Sequence, residues 1–245
     1  MSQMKIDVQH LNFSYDGKRE VLSDISFQAA EGESIGIIGA NGAGKSTLLK
    51  ILVGLELTFS GDVRIDGLPL TKEHLSEIRG KTGYVFQDSD SQLFMTTVGE
   101  DVAFAPRNYG FSEEEIEERV REALEKVHIT HLREASIYRL SGGEKKLASL
   151  ATILSMTPEM ILLDEPTVAL DPGNRRNLIR VTNELEALKI ITSHDLDYIW
   201  DTCGRTILMW EGRIVFDGPT EEIMRNREML EQYGLELPLS LSRQG

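Results

Sequence analysis

The chain has 245 residues, 40% hydrophobic and 27% charged, and 40 acidic against 26 basic side chains leave a net charge of −14. That length holds one substantial core with a subdomain and not two full domains, and no apolar run reaches the roughly 18–20 residues a membrane-spanning helix needs. The acid excess speaks against nucleic acid as a partner, because binding phosphates requires Lys and Arg to displace counterions, and the single cysteine, Cys203, excludes an internal disulfide and fits a packed core residue in a reducing cytosol.

The start, Met1-Ser2-Gln3-Met4-Lys5-Ile6-Asp7, lacks the basic stretch and apolar core of a signal peptide. Ile6 and Val8 share one parity while Leu11, Phe13 and Tyr15 share the other, which predicts a first strand bulged near His10. A turn at Asp16-Gly17 leads to a second, antiparallel strand over about 21–27. The pattern then changes: residues 34–38 form a short apolar strand, followed by a glycine-rich loop and a helix over 45–53.

The loop Gly39-Ala40-Asn41-Gly42-Ala43-Gly44-Lys45-Ser46 fits the G-x-x-x-x-G-K-[ST] pattern, in the strand–loop–helix context that the pattern needs. Glycines let the backbone bend so that successive N–H groups face one anion, and the helix N-terminus adds partial positive charge. Gly39, Asn41, Gly42, Ala43, Gly44, Lys45, Ser46 and Thr47 are therefore the candidate nucleotide cradle. Lys45 is expected to reach the β- and γ-phosphates, and the Ser46 hydroxyl to bind Mg²⁺.

Residues 82–86, 160–163 and 189–192 are further short apolar runs, as expected for strands buried on both faces of a parallel sheet. Between the first two, the sequence from about Thr97 to Ser155 is mostly helical. It is predicted to open after Pro106, with a helix from Ser112 that pairs with Glu115 in a capping box. The acidic run Glu113-Glu114-Glu115-Ile116-Glu117-Glu118 reads as a solvated helix start, where carboxylates meet the positive end of the dipole.

Met160-Ile161-Leu162-Leu163-Asp164-Glu165 places two carboxylates at a strand end. Alone, this pattern means only a strand followed by a cap. Beside a phosphate loop, Asp164 is the expected Mg²⁺ carboxylate and Glu165 the general base that faces the attacking water. A hairpin over 205–210 and 213–216 turns at Glu211-Gly212, and a helix and mobile tail are expected from Pro219. The fold class is thus α/β: a P-loop core with a mixed, mostly parallel sheet, an N-terminal antiparallel β subdomain and an inserted helical subdomain. One domain spans 1–245, with the core at 1–87 and 156–220, the helical part at 88–155, and a C-terminal helix and tail at 221–245.

P-loop proteins serve many functions, so the cradle does not choose among them. Leu140-Ser141-Gly142-Gly143-Glu144, however, resembles the signature of the ABC ATPases, and it lies 164 − 141 = 23 residues before Asp164, as in that family. Other elements similar to the family's follow in its order: Tyr15, Gln87, Ala169-Leu170-Asp171 and His194. The resemblance implies a subunit that binds MgATP and hydrolyses it between two copies of the fold. Ser141 and Gly143 would face the P-loop of the other subunit in a head-to-tail pair, a homodimer or a heterodimer with a related ATPase. There their helix start would form a second anion site, with N–H groups stabilising γ-phosphate charge in trans. By the same resemblance Gln87 senses Mg²⁺ and the lytic water, His194 contacts the γ-phosphate and supports Glu165, and Asp171 meets the partner. Tyr15 either stacks on adenine or packs at the end of the first strand. Two features depart from the family: Leu147 replaces the usual basic residue three places after Glu144, and the loop before Lys189 is short.

Phe86-Gln87-Asp88-Ser89-Asp90-Ser91-Gln92-Leu93-Phe94, with Val98-Gly99-Glu100-Asp101-Val102-Ala103-Phe104, is similar to the energy-coupling-factor group, in which an extra Gln (here Gln92) follows the sensor Gln. The stretches 211–220 and 233–238 are similar to its cobalt/nickel branch. This resemblance implies a peripheral protein on the cytoplasmic face of the cell membrane. Its partners would be a transmembrane coupling subunit and a substrate-binding membrane component, and its transporter would import cobalt or nickel ions. An importer of vitamins or amino acids, or a soluble ABC ATPase without transport, are the alternatives. The connection at Gln87 is expected to act as a hinge. Leu93, Phe94 and Met95 either offer a cleft wall to a helix of the membrane partner or cap the core of the helical subdomain.

Overall fold

The computed structural model describes residues 3–242, so the readings of Met1, Ser2 and the last three residues of the tail lie outside the described residues. Strand β1 (Met4–Phe13) pairs antiparallel with β2 (Leu22–Ala30). The expected bulge is present: the register shifts between Val8 and Leu11, and His10 has φ 52°. The second strand starts one residue later than predicted and runs three residues further, because β1 reaches back to Met4 and offers Ala30 a partner. Strand β3 (Ser34–Ile38) leads through the glycine loop into α1 (Lys45–Leu52). Strands β4 (Ser60–Ile65) and β5 (Leu68–Pro69) complete a four-stranded antiparallel sheet in the order β2-β1-β4-β5.

Helix α2 (Leu75–Lys81) precedes β6 (Thr82–Val85). The helical part comprises a short 3₁₀ turn (Ser89–Ser91), α3 (Val98–Asn108), α4 (Glu113–Lys126) and α5 (Gly142–Leu154), with further 3₁₀ turns between them. The chain then returns through β7 (Met160–Asp164), α6 (Pro172–Glu184), β8 (Leu188–Thr192), α7 (Leu196–Thr202) and the hairpin β9 (Arg205–Trp210) and β10 (Arg213–Pro219). The second sheet has the order β10-β9-β3-β8-β7-β6, parallel except for β10.

Side chains of β7 alternate between two cores. Met160 and Leu162 join the cluster shared with the antiparallel sheet and α1, while Ile161 and Leu163 join the cluster under the helices. That is why the strand reads as a continuous apolar run: a strand covered on both faces buries every side chain. Helix α1 lies inside the first cluster with Leu48, Leu49, Ile51 and Leu52 at most 1% exposed, each worth about 1.5–3 kcal/mol of transfer from water.

Two expectations are corrected. The helical part does not open after Pro106; α3 begins at Val98 and contains Pro106. Proline removes one donor from a helix, but a Thr97–Glu100 capping box and the buried Val98, Val102 and Ala103 hold this helix in place. The capping box expected at Ser112–Glu115 is present at the start of α4. In place of the single helix and tail expected from Pro219, residues 220–242 form α8 (Thr220–Met224), α9 (Arg227–Gln232) and α10 (Leu239–Ser242). Tyr233 packs against Trp210 with ring centroids 5.7 Å apart. The Asp197 carboxylate accepts the N–H groups of Leu239 and Ser240, both at 2.9 Å. Cys203 is buried as expected, and burial pushes its thiol up to about 11.

Candidate functional site

The parallel strands β3, β7 and β8 end side by side, and their C-terminal ends carry the phosphate loop, the carboxylates and the histidine. Gly39 has φ 148°, and a Cβ there would lie 2.2 Å from the carbonyl oxygen of Met209, so only glycine lets the loop leave the sheet at that point. Lys45 opens α1 with its side chain folded back: Nζ donates to the carbonyls of Gly39 (2.8 Å) and Ala40 (3.3 Å). It also lies 3.1 Å from His194 Nε2 and 3.9 Å from Glu165 Oε1. Burial lowers the Lys45 pKa, and the charges of Glu165 and Asp164 oppose that shift.

Three hydroxyls converge on Asp164. Ser46 Oγ and Thr192 Oγ1 donate to Oδ1 at 2.8 and 2.7 Å, and the Tyr84 hydroxyl donates to Oδ2 at 3.1 Å. Burial, and then the neighbouring Asp164 charge, push the Tyr84 hydroxyl pKa well up, so it stays a donor.

Glu165 has a left-handed backbone, φ 45°, which turns its side chain toward the loop. Its Oε2 accepts the His194 N–H at 3.0 Å. Oε1 is buried and lacks a hydrogen-bond donor, although His194 Nε2 lies 3.2 Å away. Lys45 Nζ and Glu165 Oε1 both face His194 Nε2, and which of them that nitrogen bonds is set by the tautomer of the ring. A buried carboxylate oxygen without a donor is costly unless something polar is to meet it.

A cavity of about 240 Å³ is lined by residues 41–47 with Val21, Gln87, Glu165, Val168 and His194. Tyr15 lies at its mouth, 57% exposed, with its hydroxyl 3.2 Å from Thr47 Oγ1 and its ring edge-on to Phe13. The cradle residues, Gln87, Asp164, Glu165 and His194 are thus brought together. Ser141 and Gly143 do not line this cavity. They start α5, where Ser141 N and Oγ donate to Glu144 Oε2 at 2.7 and 2.8 Å and Ser141 Oγ accepts the Glu144 N–H. Gly143 abuts α6, with Asn174 Nδ2 2.2 Å from where a Cβ would stand. Asp171 caps α6 by accepting the N–H groups of Gly173 and Asn174.

The donor set fits a small hard cation. Ser46, Asp164 and Gln87 offer oxygen ligands, and Mg²⁺ takes one or two carboxylates plus phosphate oxygens and water. Among the described residues no group of three or more His, Cys, Asp or Glu side chains is placed to hold a metal ion.

Residues that pattern reading missed include Tyr84, Thr192 and Lys146. Lys146 is buried, and its Nζ donates to the carbonyls of Phe86 (2.9 Å) and Gln87 (2.8 Å); burial pulls its pKa down to about 8. Leu147, the departure from the family pattern, is 4% exposed and packs in the core. Gln92 bridges the same segment to α5: Oε1 accepts the Phe86 N–H at 3.1 Å, and Nε2 donates to the Ser149 carbonyl (2.8 Å) and Thr152 Oγ1 (2.9 Å). Leu93 is a core residue, 5% exposed, which decides for the second of its two readings, a cap on the core of the helical subdomain. Phe94 instead is 61% exposed and stacks edge-on against Phe104 at 4.7 Å. Both border a second cleft of about 230 Å³, with Thr82, Tyr109, Ile153 and Met156.

Comparison with known proteins places this geometry. A profile of the ABC transporter family matches residues 22–168. A Geobacter sulfurreducens chain with a provisional assignment as an ABC transporter ATP-binding protein is 48% identical over 241 residues, 98% of this chain and 97% of that one. The energy-coupling factor transporter ATP-binding protein EcfA of Methanothermobacter thermautotrophicus is 42% identical over 238 residues, 95% of this chain and 76% of its own. The solved structure of CbiO1 from Clostridium perfringens, part of the ABC transporter complex CbiONQ, superposes with a TM-score of 0.83 at 34% identity, covering 94% of both chains. Among the described residues no helix is long and apolar enough to cross a membrane.

Proposed function

We propose, from the premise that this chain belongs to the ABC transporter family as an ATP-binding subunit that hydrolyses ATP to drive transport, that it powers an energy-coupling-factor importer whose cargo is cobalt or nickel ions. The phosphates lie along residues 39–46, with Lys45 turned from the Gly39 and Ala40 carbonyls to the β- and γ-phosphates and Tyr15 stacked on the adenine. Ser46, Asp164 and Gln87 hold Mg²⁺, which neutralises phosphate charge when bound. Glu165 Oε1 takes the proton of the attacking water, and its lack of a donor supports that role. His194 steadies the same carboxylate through its backbone N–H.

Ser141 and Gly143 lie outside the cavity, so a second copy, or a related chain, supplies its signature helix start to the γ-phosphate. This makes the working unit a head-to-tail pair on the cytoplasmic face of the membrane. The observation that carries the transport assignment is the segment 86–94. Gln92 and Lys146 tie it to α5, while Phe94 and Phe104 stay exposed beside an apolar cleft. A cleft of that kind receives a helix of another chain, here one from the transmembrane coupling subunit. EcfA is named as an energy-coupling factor transporter component and CbiO1 as part of an ABC transporter complex. The metal-ion cargo rests on the resemblance of the stretches 211–220 and 233–238 to the cobalt/nickel branch.

Co-expression with the membrane subunits tests the reading. Phe94→Asp should leave the melting temperature unchanged and abolish co-purification with the coupling subunit. Reconstituted wild-type complex should take up cobalt or nickel in an ATP-dependent way. Assembly by the Phe94 variant refutes the docking surface, and uptake of a vitamin in place of metal ions refutes the cargo.

A further inference from the structure

Thr192 closes β8 two residues before His194 and is fully buried. It does not line the nucleotide cavity, yet its one hydroxyl is used twice. It donates to Asp164 Oδ1 at 2.7 Å, the better of two acceptors, since the Leu163 carbonyl stands at 3.5 Å. It also accepts the N–H of Glu165 at 3.1 Å, and the same N–H reaches the Thr192 carbonyl at 3.0 Å. Glu165 is the residue whose left-handed backbone aims its carboxylate into the cavity, a conformation that persists only where its surroundings over-determine it.

We infer that Thr192 is a positioning residue of the hydrolytic centre: a single hydroxyl fixes both the carboxylate of Asp164 and the backbone turn of Glu165, so the two acids keep one geometry relative to the phosphates. The inference rests on the reading of Asp164 as the Mg²⁺ carboxylate and Glu165 as the base. Of the other hydroxyls on Asp164, that of Ser46 is committed to the ligand side of the site. That of Tyr84 holds only the opposite oxygen, Oδ2. Neither touches Glu165. Valine has the shape of threonine without the donor, and serine has the donor without the methyl, so the two substitutions separate hydrogen bonding from packing.

The test measures steady-state ATPase and the affinity for a fluorescent ATP analogue, with and without Mg²⁺, in Thr192→Val, Thr192→Ser, Asp164→Asn and Glu165→Gln. Loss of an outer partner of a metal carboxylate typically lowers metal affinity or activity by about 10–100-fold. Thr192→Val should therefore lose about tenfold or more in kcat and in the Mg²⁺-dependent part of nucleotide affinity. Its affinity without Mg²⁺ should stay unchanged. Thr192→Ser should recover to within about threefold of the wild type. If the valine protein does not fold, judged by its melting curve, Thr192→Ala removes the same hydroxyl and is held to the same expectation. A valine or alanine variant with wild-type kcat and Mg²⁺ response, while Asp164→Asn and Glu165→Gln are crippled, overturns the role of Thr192. Equal losses in the valine and serine variants assign the effect to packing and overturn it too. Full activity in Asp164→Asn and Glu165→Gln overturns the reading of the centre beneath it.

Discussion

Two glycine-rich helix starts in this chain, residues 39–46 and 140–144, share one design and differ in how far the chain finishes them. Around the first, Lys45 is held by two carbonyls, Ser46 by Asp164, and Glu165 by His194. The second is exposed at Ser141 and Gly142, and its bonds stay within its own capping box. Both can cradle an anion with backbone N–H groups, but only the first has Asp164, Glu165 and Lys45 gathered beside it at the ends of the core strands. The comparison teaches that one loop is completed by groups of its own chain, while the other is left open, as the proposed head-to-tail pair requires.

Breaking the finished loop should have the largest effect. Glu165→Gln removes the proposed base and keeps the cradle, so turnover should fall by roughly 10²–10⁴ while ATP binding persists. The same variant with MgATP should scatter light as a dimer, and with MgADP as a monomer. A monomer under both nucleotides would dissolve the contrast between the two loops. Near-normal turnover would instead remove Glu165 from its role.

Breaking the unfinished loop should cost less. Ser141→Ala deletes an N-cap worth about 1 kcal/mol, which lowers the melting temperature by about 2–4 °C in a chain of this size. The backbone N–H groups survive, so turnover should fall by no more than about tenfold, the scale of one hydrogen bond. A loss as deep as that of Glu165→Gln would show that the hydroxyl, and not the backbone, carries the second site.

The smallest effect belongs to a control placed away from both loops. Asp66 accepts from Lys81 (2.8 Å) and Lys5 (3.0 Å), and Lys5 also reaches Glu159 at 2.5 Å, joining the antiparallel layer to the core. Lys81 first, and then Lys5, hold the Asp66 carboxyl below its usual 3.8. A depressed carboxylate contributes stability that is present above its unfolded pKa and is lost as pH falls through the folded one. Melting temperature should therefore drop on acidification below about pH 4. Asp66→Asn should flatten that drop and leave neutral-pH ATPase unchanged. The raised Lys5 pKa gives the opposite sign, with stability lost only as pH rises beyond its usual 10.5.

Much of the site could be read from the chain alone because it is local. The phosphate-loop motif occupies eight consecutive residues, 39–46, Asp164 and Glu165 are adjacent, and each follows an apolar run that marks a buried strand. Capping boxes likewise announce themselves by a three-residue spacing, and two of those in the structure, at Ser112 and Ser141, fall on segments read in advance as helix starts. The choice between core and cleft for Leu93, and the fold of the tail, were not legible because exposure is not a local property. The same apolar side chain can face a core or a cleft, and 233–242 is held by Trp210 and Asp197 from distant elements.

The sequence by itself determined the strands of the second sheet in chain order, the phosphate loop and the acids at the strand end, since backbone propensity and hydrophobic period act over a few residues. By contrast, β4, β5, α2 and the start of α3 went unread. Only the tertiary structure decided which hydroxyls surround Asp164, for Tyr84 and Thr192 arrive from 80 and 28 residues away. Only it, too, showed that Lys146 holds Gln87 by its carbonyl across 59 residues. The physical reason is that a hydrogen bond depends on direction and on a separation near 3 Å, and sheet order, not chain order, sets which side chains come that close.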